Sequence, residues 1–402
     1  MLVALVVAPA IRIFDERTRP TLFGFTSTGA AALVSALTGS LFALIVFTFS
    51  ILLLAIQIAG GQLSPRIIAR VFATPKLKIA LALFTFSYTY ALAALSRIGD
   101  RVPQLPVALS VAASVTSLGF FIYLVQRLGE AFRPGTVMTL VAMKTRLVVD
   151  EMYPYRFESP EGPHGSHALD RSRPDRVVVQ RRTSGVVLAF HAEGLGALAQ
   201  RAGCVVELAP QVGDFLAVGD VLFRLYGAGA LAVSEEDLRG CVALGLERTL
   251  EQDPAFGFRI IVDISSKALS PAINDPTTGV LAIDQLHQLL ALVASRQLDT
   301  GLVRDAAGEV RLVYRTPDWE DFVTLAATEP RIYGATNPQV TRRLRSMYDQ
   351  LLRVVPAARA DALRREVALL ESTLEAAWPN PTDRAIAGAS DSQGFGGHAR
   401  PG

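Results

Sequence analysis

With 402 residues the chain has room for two or three domains. Half of it is hydrophobic and its mean hydropathy is +0.34, too apolar for an ordinary soluble protein. A net charge of +2 and the lack of any basic stripe interleaved with aromatics exclude a nucleic-acid partner, and the isolated Cys204 and Cys241 give no disulfide framework.

The opening MLVALVVAPAIRIF is apolar and stops at Arg12, which reads as a short first membrane span. Residues 20–65, 79–96 and 102–126 carry no charged side chain. A bilayer core needs roughly 20 apolar residues as helix, so further spans are expected near 32–57, 77–96 and 104–126. The stretch GGQLSPRIIARVF (60–72) breaks the second span and turns basic, as a loop opening into an interfacial helix would. Basic residues gather at 66–78 and again at 127–146, and the positive-inside rule puts both segments in the cytoplasm. The spans hold no ionisable residue at mid-membrane, so a carboxylate or histidine relay through the bilayer is not expected. Ser110, Ser114 and Ser117 share one helical face that packs helices together or lines a pore, and Tyr88 and Tyr90 fall inside the third span.

Val137, Leu140, Val141, Leu147, Val148 and Met152 recur at helical spacing, as in an amphipathic connector. Residues 156–176 are polar and rich in Pro and Gly, a linker whose His164 and His167 lack the third ligand a metal site needs. Strands are expected in RVVVQRR, GVVLAF and CVVELAP, with one short helix in GLGALAQRAG. QVGDFLAVGDVLFRLYG repeats Gly-Asp at 213–214 and 219–220, like the hammerhead turns of biotinyl and lipoyl carrier domains. No Lys stands between 145 and 266, so this unit cannot carry an acyl cofactor, and no cofactor of any kind is expected.

From Ser234 onward the pattern turns helical. Ser234 with Asp237 forms a capping box, and Asp253, Asp275, Thr316 and Asn337 each stand just before a Pro. The implied helices are 235–250, 254–269, 276–297, 317–328, 338–354 and 358–377, with a strand at 309–315. After Pro379 the composition is that of a disordered tail.

The densest cluster of chemistry-bearing residues is DISSKALSPAINDPTTG (263–279). Asp263 and Lys267 lie one turn apart and are placed to pair. Pro271 stops that helix, Asn274 turns the chain, and Asp275 caps the next helix, with Thr277 in its first turn. A structural corner accounts for nearly every residue type. A ligand site made of Asp263, Lys267, Ser270, Asn274, Asp275 and Thr277 is the alternative, with the free helix N–H groups and Lys267 receiving a small anion. No catalytic or metal-ligating constellation stands out, and Asp284 with His287 reads as a solvated helix face.

Three segments carry a family resemblance: FTFSILLLAIQIAGGQLSPRIIARVF, RTSGVVLAFHAEGLGALAQRAGCVVELAPQVGDFLAVGDVLFRL and DISSKALSPAINDPTTGVLAIDQLHQLL. Together they resemble a bacterial family of predicted membrane proteins, domain of unknown function 2254, over about residues 1–380. The resemblance implies four amino-terminal spans and a soluble remainder, and brings no activity. This chain departs from it in its short first span, its long insert at 156–176 and Lys267 at a position where Arg is expected.

The expected fold is an α-helical membrane part of four spans (1–128), a connector and linker (129–176), and a cytoplasmic α+β part. The latter comprises a small β-rich unit (177–230), a helical subdomain (231–378) and a disordered tail (379–402). The expected function is that of a non-enzymatic protein of the bacterial inner membrane, channel-like or transport-related, with a cytoplasmic ligand-sensing or oligomerisation domain. Its partners would be the bilayer, further copies of itself and a small anion. A membrane-tethered enzyme or binding domain with its site at 263–278, and a scaffold for a protein partner, are the alternatives.

Overall fold

The computed structural model describes residues 24–62, 75–99, 102–131, 133–158 and 173–393, with isolated positions between 3 and 13. Most of the expected first span, the loop at 63–74 and the linker histidines His164 and His167 lie outside the described residues. The chain forms two compact units, Met1–Val137 and Met138–Gly402.

In the first unit, α1 (Ser27–Gln62), α2 (Pro75–Leu95) and α3 (Gln104–Ala131) pack against one another. Their contacts run through small residues, Ala30, Ala80 and Ala91, beside Val34, Leu41, Leu52, Phe84, Val107 and Leu124. Small residues let helix backbones approach closely where lipid supplies no hydrophobic drive. Phe42, Val46, Phe47, Phe49 and Leu53 of α1 stay exposed, as side chains that meet lipid would. At one end, the Gln104 side chain and the Phe25 backbone exchange hydrogen bonds of 3.1 Å in both directions.

The serine stripe is a packing seam. Ser117 donates to Ser87 Oγ across α2 and α3 at 2.9 Å, and Ser110 and Ser114 bond back to the Pro106 and Ser110 carbonyls. All three stripe residues are buried. Tyr90 stacks on Phe86 and is enclosed by Ala4, Val7 and Ile11, so it serves helix contact. Four described helices are long and apolar enough to cross a bilayer: three lie in this unit, within Ser27–Leu54, Lys76–Leu95 and Gln104–Arg127. The fourth, Pro276–Ala294, is a core helix of the second unit.

The connector is helix α4 (Pro134–Met152). It buries Met138, Val141, Ala142, Thr145 and Val149, and leaves Leu140, Met143 and Leu147 exposed. Residues 176–245 alternate strands and short helices: β1 (Arg176–Val179), β2 (Gly185–Phe190), α5 (Ala192–Ala202), β3 (Val205–Leu208), β4 (Phe215–Leu216), β5 (Val221–Tyr226), α6 (Glu235–Gly240) and β6 (Val242–Gly245). Then come α7 (Pro254–Ala268), α8 (Pro276–Ala294), β7 (Leu302–Arg304), β8 (Val310–Tyr314), α9 (Trp319–Gly334), α10 (Pro338–Val354), α11 (Ala360–Ala377) and α12 (Pro381–Gly388).

The strands build two sheets, one ordered β1-β5-β3-β8-β7 and one ordered β4-β2-β6. Every pairing is antiparallel except β3 with β8. Leu195, Val206, Leu208, Leu222, Phe223, Leu225 and Leu312 fill the core under the larger sheet.

The Gly-Asp repeat forms two matching turns. Asp214 accepts from the Gln211 amide at 2.9 Å and Asp220 from the Ala217 amide at 2.8 Å. Gly213 and Gly219 hold φ of 94° and 99°. Gly219→Val should therefore destabilise the unit by about 1–2 kcal/mol through backbone conformation alone, since no atom crowds the site. An unchanged melting temperature would refute the turn assignment.

Three expectations are corrected. The helix expected over 235–250 ends at Gly240, because Val242–Gly245 completes the smaller sheet on the open edge of β2. The boundary at 230 does not separate a β unit from a helical one: β6, β7 and β8 all come from beyond it, and β8 pairs with β3. The tail is not disordered throughout, since 381–388 is helical and docks on α10. There Thr341 donates to the Ala387 carbonyl at 2.7 Å and Arg342 to that of Ile386 at 2.7 Å.

Candidate functional site

The 263–279 stretch joins α7 to α8. Ser270 donates its hydroxyl to the Lys267 carbonyl at 2.7 Å, and the Asn274 amide reaches the Ser270 carbonyl at 2.8 Å. Asn274 has φ of 48°, the single positive value outside glycine among the described residues, and Asn tolerates that region better than most residues. The Asp275 carboxylate accepts from the Thr278 amide at 3.1 Å and from the Thr278 hydroxyl at 2.6 Å. Thr277 is exposed and Lys267 is half-buried.

Lys267, Ser270, Asn274 and Asp275 thus share one turn, but Asp263 belongs to another cluster. Arg259 holds it at 2.7 Å and also binds Glu329 at 2.5 Å. Arg259, one turn before Asp263 on α7, thus ties that carboxylate to α9. The helix start that would receive an anion is already occupied by a carboxylate of the chain itself. Asp275→Ala should cost about 0.5–2 kcal/mol, with Asn or Ser restoring most of it, as urea unfolding would read.

Asp284 and His287 are not a solvated face. Arg343, almost fully buried on α10, donates to Asp284 at 2.6 Å and lies 3.1 Å from His287 Nδ1. The cluster locks α8 to α10.

The second unit holds a different candidate, a cleft of about 240 Å³. Five segments meet there. Tyr153 follows α4; Phe190, His191 and Glu193 surround the step from β2 into α5; Gln252 and Asp253 precede α7; Asp299 follows α8; Tyr314, Arg315 and Thr316 leave β8. Local structure fixes each wall. Asp253 caps α7 through the Phe256 amide at 2.9 Å and is bound by Arg248. Gln252 accepts from the Phe190 amide at 3.0 Å. Tyr314 donates to Asp299 and packs edge-on against Phe190 with ring centroids 4.9 Å apart.

Burial pushes the Tyr153 phenol well above the usual range, opposed by a hydrogen bond with Thr316 and reinforced by the charges of Asp299 and Asp253. Burial also raises Tyr314, with the adjacent Asp299 adding to the effect. Both phenols stay protonated, and that of Tyr314 donates to Asp299. Among the described residues no group of three His, Cys, Asp or Glu side chains is placed to hold a metal ion. What the cleft offers is recognition, by aromatic rings together with a few polar and charged groups.

Sequence reasoning missed this cleft. Asp253 and Thr316 are visible in the sequence as residues before Pro, but nothing in their spacing announces that Tyr153, Asp299 and Tyr314 converge on them.

The model of a family described as predicted membrane protein (DUF2254) matches residues 1–350. The chain belongs to that family. Uncharacterized proteins of Mycobacterium tuberculosis (strain H37Rv) and Mycobacterium bovis are similar to it. Each is 26% identical over 377 residues, covering 91% of this chain and 72% of the relative. No solved structure is significantly similar to it. As a DUF2254 member the chain is a membrane protein, with apolar helices followed by a mixed helical and sheet region.

Proposed function

We propose that this DUF2254 protein is a non-enzymatic, membrane-anchored sensor whose second unit takes up a small molecule in the cleft. The cleft itself carries the proposal: side chains from five segments converge there, and the buried phenol of Tyr153 and the half-buried one of Tyr314 stand in its wall. The transport-related form of this function draws less support, because the polar seam of the spans is spent on contacts between α2 and α3. A site at 263–278 also draws less support, since its helix start is capped from within and Asp263 is committed elsewhere.

The test is a thermal-shift screen of small charged molecules on the full chain in maltoside micelles. A ligand present at a hundred times its Kd should stabilise the protein by about 2.7 kcal/mol. That gain should vanish when Thr316→Trp fills the cleft and persist in Lys267→Met. The reverse pattern would return the site to 263–278.

The basic bias of the loops supports a cytoplasmic second unit in the bacterial inner membrane. Reporter fusions at residue 400 should read as cytoplasmic and at residue 100 as periplasmic. A periplasmic signal at 400 would place the cleft on the opposite side.

A further inference from the structure

The walls of the cleft have a definite electrical character. Asp299 accepts from the Gly301 amide at 2.9 Å and from the Tyr314 hydroxyl, and both donors are neutral. Its negative charge is oriented by these bonds, and no cation among the described residues pairs with it. Glu193 adds a second carboxylate, exposed at the start of α5. Asp253 is the third, and Arg248 neutralises it. Among the described residues the lining holds one arginine, Arg315, whose side chain is 69% exposed and leans to within 3.8 Å of Asp214. The aromatic surface comes from Tyr153, Phe190 and Tyr314. Ring faces attract cations, and they do so most strongly where water is excluded. At about 240 Å³ the space lies below the range of about 300–1,000 Å³ usual for drug-sized ligands, so the occupant is small.

We propose that the cleft takes a small organic cation, an amine or quaternary ammonium, with its charge beside Asp299 and its alkyl groups against Tyr153, Phe190 and Tyr314. This rests on the reading of the cleft as a ligand site. It assigns the ligand a sign opposite to that of the anion expected at Lys267.

The test is calorimetric titration of the full chain in maltoside micelles at constant ionic strength. Tetramethylammonium chloride is the probe and sodium phosphate its opposite-charge control. Tetramethylammonium should bind the unaltered protein and phosphate should not. Asp299→Asn should weaken tetramethylammonium about tenfold, the scale of one uncompensated charge beside a ligand. Arg315→Ala should strengthen it by up to about fivefold, as removal of a rim charge does. Arg315 is mostly exposed, so that variant reports even if Asp299→Asn loosens the turn at 299–301.

Phosphate binding that Arg315→Ala abolishes would overturn the cation while leaving the cleft as a ligand site. Tetramethylammonium binding equally well to Asp299→Asn, or not binding at all, would also overturn it. The cleft reading is judged separately by the comparison of Thr316→Trp with Lys267→Met.

Discussion

Arg359→Leu is expected to be among the most damaging single changes in the second unit, at about 2–4 kcal/mol. Its guanidinium is almost fully buried and donates to the Val293 and Ala294 carbonyls at 2.8 and 3.0 Å, closing the end of α8. It also lies over the rings of Phe157 and Trp319, 4.5 and 5.6 Å from their centroids. Trp319 in turn donates its indole N–H to the Arg359 carbonyl at 2.8 Å. A buried carbonyl stripped of its donor costs about 1–3 kcal/mol, and a desolvated cation over a ring is worth up to ~2 kcal/mol. A positive charge at a helix C-terminus adds a favourable dipole interaction. Leu refills part of the volume and none of these polar contacts. Arg359→Lys should recover part of the loss, since an ammonium can still reach one carbonyl. Chemical unfolding in micelles would measure both variants, and a loss below about 1 kcal/mol for Leu would refute the role of Arg359 as the clasp of α8.

Gly257→Ala should destabilise by about 1–3 kcal/mol, although the same change in an open helix gains 0.5–1 kcal/mol. The sign reverses because α7 crosses α4 at this glycine. An added Cβ would fall inside the contact distance of Thr145 Oγ1 and within 2.6 and 2.7 Å of its Cγ2 and Cβ. Thr145 cannot easily yield, being buried with its hydroxyl bonded to the Val141 carbonyl at 2.8 Å. Thr145→Gly in the same chain should relieve most of the loss. Two costs that simply add in the double variant would show that the residues are not in contact.

The glycine matters for the cleft as well. α4 delivers Tyr153 to its wall and α7 begins at Asp253, so the spacing of these two helices sets the distance between two of its sides. A substitution that forces them apart should weaken ligand binding before it unfolds the unit.

Much of this architecture was legible in the sequence because its signals are local. Charge-free runs mark α1, α2 and α3, since a bilayer-crossing helix cannot hide a charge. Asp253, Asp275 and Asn337 before their prolines place the starts of α7, α8 and α10, because a capping side chain answers amides only two or three residues away. The Gly-Asp turns are legible for the same reason. The tail shows this logic overruled too soon: Asn380 before Pro381 carries the same signal and does start α12, but the surrounding composition argued for disorder. At the start of α9, Asp318 rather than Thr316 supplies the cap, through a reciprocal pair with Asp321.

What the sequence determined by itself was therefore the three apolar helices of the first unit, the starts of α7, α8 and α10, the turns at 213 and 219, and the corner at 263–279. Only the tertiary structure decided partners. Asp263 shares the Arg259 guanidinium with Glu329 of α9, a partner 70 residues from Arg259 that no local rule announces. Asp284 and His287 looked solvated until α10 brought Arg343 against them. Val242–Gly245 became a strand because β2 offered an unpaired edge, a circumstance more than fifty residues away in the chain for its first partner. The cleft is the extreme case. Tyr153 and Tyr314 are 161 positions apart (314 − 153), and no local rule couples them. They meet because β8 pairs with β3 in parallel, carrying Tyr314 to the same end of the sheet region as the start of α5.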